Sequence, residues 1–208
     1  MRRKWWILLV VPLLVLGGVT GLVIVRGFDW PGSPWSEGKS LETLNGIAVY
    51  DNGPMASMSH GRSYAPDGYY FGPKWHSVEF VKRYLYQARS QRLPDGMGSA
   101  ASFFDTDTPQ GALNERRGLM QFRQGGMDPP IAGDVVVFGG DDDGHLAIVA
   151  SVGDDFVEVV QQNAAPPRER LPLARGGGAY RIRGGRPALG WLRVPTMQAN
   201  VESGRPGA

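Results

Sequence analysis

From Ile131 to Val194 the sequence is cut into short β-branched runs by turns of Gly and Asp, and no other feature limits the fold more. Asp134–Phe138, His145–Val152 and Phe156–Gln162 are three such runs in a row, which predicts an antiparallel meander. Ala179–Arg183 and Ala188–Val194 add two more strands, and Ile47–Tyr50 is a short strand between Asn45-Gly46 and Asp51-Asn52-Gly53. Against these stands one strongly periodic helix, Ser77 to Gln91. Val78, Val81, Leu85 and Ala88 line one face of it, Phe80 and Tyr84 widen that face, and Lys82 and Arg83 lie opposite. The predicted class is α+β: one helix packed on one face of a half-open barrel, a five- to six-stranded antiparallel sheet. Nothing alternates β-α-β, so a Rossmann-type nucleotide fold is excluded. Residues 54–73 and 94–128 read as loop, with one short helix around Asn114 to Phe122; the 30 Gly and 16 Pro support many turns.

Upstream, Trp5 to Val25 is an uncharged apolar run, long enough to span a hydrocarbon core as a helix. Arg2, Arg3 and Lys4 precede it and Arg26 follows. The positive-inside bias then predicts a cytoplasmic N-terminus, with the domain periplasmic or extracellular. The run is longer than a signal-peptide core and lacks a small-residue cleavage site, so we expect an uncleaved anchor. The expected organisation is a transmembrane anchor at 1–26, a Gly/Pro/Ser-rich linker at 27–40, a domain at 41–195 and a frayed tail at 196–208. The net charge of +2 depends on that partition: four of the 22 cations flank the apolar run, leaving 18 against all 20 acids. The domain is slightly acidic, which excludes a nucleic-acid binder read from basicity. With 0 Cys there is no disulfide, no Cys-ligated zinc and no cysteine nucleophile.

Three polar positions could carry chemistry. Ser77 opens the helix, where the dipole and free backbone N–H groups favour a nucleophile and an oxyanion. His145 opens a strand after Asp141-Asp142-Asp143-Gly144, and Gln161-Gln162-Asn163 closes the next strand, near His145 across an antiparallel pair. That spacing permits a nucleophile, a base and an orienting group. It equally permits a helix cap at Ser77 and turn residues elsewhere. Asp141 to Asp143 has oxygen ligands suited to calcium, but an acidic hairpin turn is the simpler reading. We expect no metal and no cofactor. Arg181, Arg183 and Arg186 read as a solvated strand face, Trp75 and Trp191 as packing residues with a groove wall as the second choice for them, and His60 has no assigned role.

These segments also resemble a known family. Gly72-Pro-Lys-Trp-His-Ser77-Val-Glu-Phe-Val-Lys-Arg-Tyr84 is similar to the nucleophile segment of the CHAP family, the cysteine- and histidine-dependent amidohydrolases and peptidases, where the run is G-x-K-W-Q-C-V-E-F-x-R-R-[YFW]. Pro130 to Phe138 and Gly144-His145-Leu-Ala-Ile-Val149 resemble the strand before the histidine and its G-H-V-A-I-V. Val159-Val-Gln161-Gln-Asn163 resembles an E-Q-N strand end. Leu44 to Tyr50 and Leu189-Gly-Trp191 resemble the outer segments of one branch, the amidase domain of glutathionylspermidine synthetase/amidase. The resemblance covers about residues 41–195 and implies a papain-like CHAP fold. It puts the nucleophilic Cys on Ser77, the oxyanion-region Gln on His76, the base on His145, the orienting acid on Gln161 and a retained Asn on Asn163, with Trp75 by the groove.

A Ser hydroxyl forms no resting ion pair with His and needs a strong, well-oriented base, and Gln161 supplies no charge to stabilise imidazolium. Hence we expect a membrane-anchored, catalytically impaired domain that binds a peptide or amide ligand, of peptidoglycan-peptide or glutathionyl-amide type. The alternatives are an active serine-type amidohydrolase using Ser77 and His145, and an accessory or assembly protein with a vestigial groove.

Overall fold

The computed structural model describes residues 37–196 apart from 56, 59, 141 and 142. Twelve strands and one α-helix are found there. Strands β1 (Ser40–Leu44) and β2 (Ile47–Tyr50) form a hairpin, as do β3 (Arg62–Tyr64) and β4 (Tyr70–Pro73). Helix α1 (Ser77–Arg89) follows. Then come β5 (Ala112–Asn114), β6 (Leu119–Arg123), β7 (Val135–Phe138), β8 (His145–Val152), β9 (Phe156–Gln161), β10 (Arg168–Gly176), β11 (Ala179–Ile182) and β12 (Ala188–Arg193). These eight make one antiparallel sheet in the order β11-β10-β9-β8-β7-β12-β6-β5.

The sheet is buried on both faces because its central strands carry apolar residues on each; all four residues of β7 are apolar and buried. Alternation then sorts the side chains. Val135, Val137, Leu146, Ile148 and Leu192 face α1, where they pack with Phe80, Val81, Tyr84 and Leu85. Val136, Ala147, Val149, Val159 and Trp191 face the other way, into a second core with Phe122, Leu171 and Ile182. That core exists because the sheet curls: Gly125 N–H donates to Tyr180 O and Tyr180 N–H to Gly126 O, so β11 meets the end of β6.

Helix α1 runs to Arg89, two residues short of the predicted end, and its C-cap Ser90 is left-handed at φ 51°. Its polar face is not solvated as expected. Glu79, Lys82 and Arg83 are buried, since α1 lies between β8 on one side and β2 and β4 on the other.

The architecture corrects the predicted class. The described chain is mostly β, with an eight-stranded sheet and two hairpins in place of an α+β arrangement of one helix on five or six strands. Three strands hid in the stretches read as loop because they are only three residues long, too short to show a period (β3, β5) or because Gly72 and Pro73 broke the pattern (β4). The short helix expected at 114–122 is the β5–β6 hairpin, whose turn needs Gly118 at φ 63°. Strand β10 was masked by its charges and Pro172, although Leu171 and Leu173 alternate inward.

The expected transmembrane helix over residues 5–25 lies outside the described residues. Among the described residues no helix is long and apolar enough to cross a membrane. At 13 residues α1 is about 20 Å long, against ~30 Å of hydrocarbon, and it is enclosed by strands. The single-pass placement, with its cytoplasmic N-terminus and outward-facing domain, is corrected accordingly.

Candidate active site

A cavity of about 600 Å³ opens where the N-terminal end of α1 meets the start of β8. Ser77, His76, His145 and Asn163 line it from one side, and the loop Gly96–Ala100 from the other. The topology brings four of the sequence-predicted residues to one groove.

Ser77 is the first helical residue rather than the cap, which is His76. The hydroxyl therefore caps nothing. Its oxygen accepts a long hydrogen bond, 3.4 Å, from the backbone N–H of Leu146, the residue after His145. That contact ties the nucleophile position to β8 beside the imidazole. The residue is 8% exposed. First-turn N–H groups such as those of Ser77 and Val78 have no helical acceptor and are available to an anionic oxygen.

His145 is 6% exposed and sits at the mouth of β8, preceded by Gly144 at φ 65°. A Cβ on Gly144 would lie 2.6 Å from Phe138 O and 2.7 Å from Ala101, so only glycine lets the groove wall come this close. The His145 Nε2 is 3.0 Å from Gln161 Oε1. Burial pushes the imidazole pKa down to about 4, the positive charge of Arg186 pushes the same way, and the Gln161 bond opposes both. His145 is neutral at pH 7.

His76 lines the groove but its Nε2 is engaged 3.0 Å from Met58 O. Its side chain is directed at that carbonyl. Asn163, left-handed at φ 61°, accepts from Asn52 Nδ2 at 3.1 Å. Trp75 does not line the groove. It is left-handed at φ 62° and packs against Gly38, His60 and Tyr50 on the outer side of the helix entry. His60, unassigned from sequence, pairs its Nδ1 with Glu37 at 2.6 Å. Trp191 is wholly buried in the second core. Asp143 lines the groove, while Asp141 and Asp142 lie outside the described residues. Among the described residues no group of three or more His, Asp or Glu could hold a metal ion.

Sequence reasoning missed the residues that hold the groove in shape. Gln162, next to Gln161 but facing the other way, accepts from Tyr50 N–H and Arg83 and donates to His76 O and to Glu79. Glu79 also pairs with Arg83 at 2.7 Å and accepts from Ser63. The start of α1 is thereby fixed to β2, β3 and β9. On the opposite wall, the fully buried Arg117 donates to the carbonyls of Asp95, Met97 and Ser102 and stacks 4.0 Å over Phe103. The Glu79/Arg83 spacing of i, i+4 was a visible signal; Arg117, in an apparently polar loop, gave none.

Residues 67–163 match the CHAP domain, a segment that includes α1, the groove loop, β8 and β9. The chain carries a CHAP domain. The bifunctional glutathionylspermidine synthetase/amidase of Escherichia coli (strain K12) is 32% identical over 120 residues, 55% of this chain and 18% of that protein; the Shigella flexneri enzyme matches equally. Trypanothione synthetase of Crithidia fasciculata is 25% identical over 177 residues, 78% of this chain and 27% of that protein. The chain thus spans about a quarter or less of the relatives' length. The CHAP domain here is of amidohydrolase type, with homology to the amidase domain of the glutathionylspermidine synthetase/amidase.

Proposed function

We propose that this CHAP domain binds a peptide-like amide in the groove between Ser77 and the Gly96–Ala100 loop and cleaves it poorly or not at all. The observation that carries this reading is the state of His145: buried, held by the Gln161 amide, with its pKa pushed down to about 4. A base that weak takes a hydroxyl proton at a steep cost, and no carboxylate of the described residues is hydrogen-bonded to the ring to stabilise the imidazolium that forms. Ser77 adds to the difficulty, because a hydroxyl does not ionise beside imidazole as a thiol does. The groove itself is intact, with free helix N–H groups and a volume suited to a small peptide.

The relatives' names supply the ligand class, a glutathionyl-polyamine amide, and a muropeptide is the second probe because both offer a γ-linked or branched peptide amide. A working serine amidase is the competing reading, favoured by the shared placement of Ser77 and His145 on one groove wall. Calorimetric titration of the full chain with each ligand, beside a hydrolysis assay, separates the two. Binding without turnover supports the proposal. Turnover at ordinary enzyme rates that is lost in Ser77→Ala establishes the serine amidase instead, and neither binding nor turnover leaves a vestigial groove.

A further inference from the structure

The amide that orients His145 has a carboxylate behind it. Gln161 Nε2 donates to Pro166 O at 3.1 Å and to Glu169 Oε2 at 3.1 Å. Glu169 belongs to β10, the strand beyond β9, and with Gln161 and Arg186 it lines a separate cavity of about 330 Å³ on the far side of the groove. Both partners of Nε2 are acceptors, so the amide is fixed with its NH₂ outward and its oxygen inward. An inward amide oxygen only accepts, so His145 must present Nε2–H to it and keep its lone pair on Nδ1.

We propose that Glu169 is a positioning residue that acts through Gln161 to hold His145 in the Nε2–H tautomer, so that the acid and the amide are transposed relative to an arrangement with the carboxylate at position 161. The proposal rests on the reading that His145 occupies the base position, and it stands whether or not Ser77 is acylated. It also predicts that Gln161→Glu alone does not repair the site: its outer oxygen would face both Glu169 and the Pro166 carbonyl, three acceptors with no proton between them.

The test uses the full chain with ¹⁵N-labelled histidine, His145 being assigned by its loss in His145→Gln. The ring-nitrogen spectrum at pH 7 should show one tautomer in the wild type, protonated on Nε2. Glu169→Ala should shift the tautomer ratio roughly tenfold toward the Nδ1–H form, because a charge-assisted bond to the amide is replaced by water. Glu169→Gln, which keeps the shape and loses the charge, should fall between, and it carries the test if the alanine variant does not fold. An unchanged tautomer in both variants would overturn the proposal, since Pro166 would then suffice to fix the amide.

A second arm titrates the ring. His145 is faced by Arg186 and Glu169 from behind and by Asp143 and His76 from the groove. The double variant Gln161→Glu with Glu169→Gln should titrate about 1–3 pH units above Gln161→Glu alone, an ordinary effect of an adjacent carboxylate freed to ionise. Equal midpoints contradict the transposition. Hydrolysis is not read in either arm, so this proposal and the binding reading fail separately.

Discussion

Two polar networks meet at consecutive residues of one strand, and they treat charge in opposite ways. Gln162 joins a clamp in which the ion pair of Glu79 and Arg83 lies in the interior, each with several partners. Gln161 joins the groove, where the described hydrogen-bond partner of His145 is a neutral amide and the carboxylate of Glu169 stands one residue behind it. Buried charge is kept where it fixes the entry of α1, and the described residues place no charged hydrogen-bond partner on His145. Both networks hold the groove in shape, and they differ in the charge each places beside it.

If the clamp is the structural half of this contrast, breaking its ion pair should give the largest effect on stability. Arg83→Ala leaves Glu79 buried without its cation and should cost about 3–5 kcal/mol, read by denaturant unfolding of the full chain. Replacing both residues, Glu79→Gln with Arg83→Met, should cost clearly less than Arg83→Ala, because no bare charge remains. A double variant as unstable as the single would mean that the pair acts by packing alone.

The groove half responds to pH instead. In the folded chain His145 titrates at about 4, while the unfolded imidazole titrates near 6.5. Between these values the unfolded state binds a proton that the folded state refuses. Stability should accordingly fall as pH drops from 7 through 4, by up to about 3 kcal/mol from this group, and level off below. His145→Gln should flatten that part of the profile, and an unaltered slope would show that other groups cause it.

Smaller effects sharpen the geometry. Gly144→Ala forces a side chain into a left-handed position against Phe138 O and Ala101; a loss of about 1–3 kcal/mol and weaker ligand binding are expected, because the wall carrying Ala101 has to move. Ser77→Ala removes a single long bond from Leu146 N–H and should change stability by about 1 kcal/mol or less, measured by thermal unfolding, with ligand affinity unchanged. A much larger loss would identify Ser77 as a structural residue.

How far these features could be read in the sequence follows from their physical range. The central strands and α1 were legible because their apolar periods are strong and local, and the quoted motifs carried the CHAP resemblance and four of the groove residues. The edge of the sheet was not legible: β5 has three residues, and β10 alternates inward only at Leu171 and Leu173 between arginines. The buried side of α1 was misread because amphipathicity assumes one wet face, whereas β2 and β4 cover the second. Between the two readings of Trp75, packing and a groove wall, the sequence could not choose, because its left-handed backbone, which turns it outward onto Gly38 and His60, leaves no local signal. Arg117 and Glu169 were invisible because their roles depend on loops and strands that meet only after folding.

The central claim is that the groove is intact and its chemistry is silenced by the residues at 77 and 161. The most direct measurement is paired binding and hydrolysis of a glutathionyl-polyamine amide by the full-length wild type and by Ser77→Cys. We predict equal affinity in the two proteins, no turnover in the wild type, and slow turnover appearing in Ser77→Cys because a thiol can ionise beside His145 where a hydroxyl cannot. Wild-type turnover at ordinary enzyme rates, or the absence of binding in both proteins, would contradict the account.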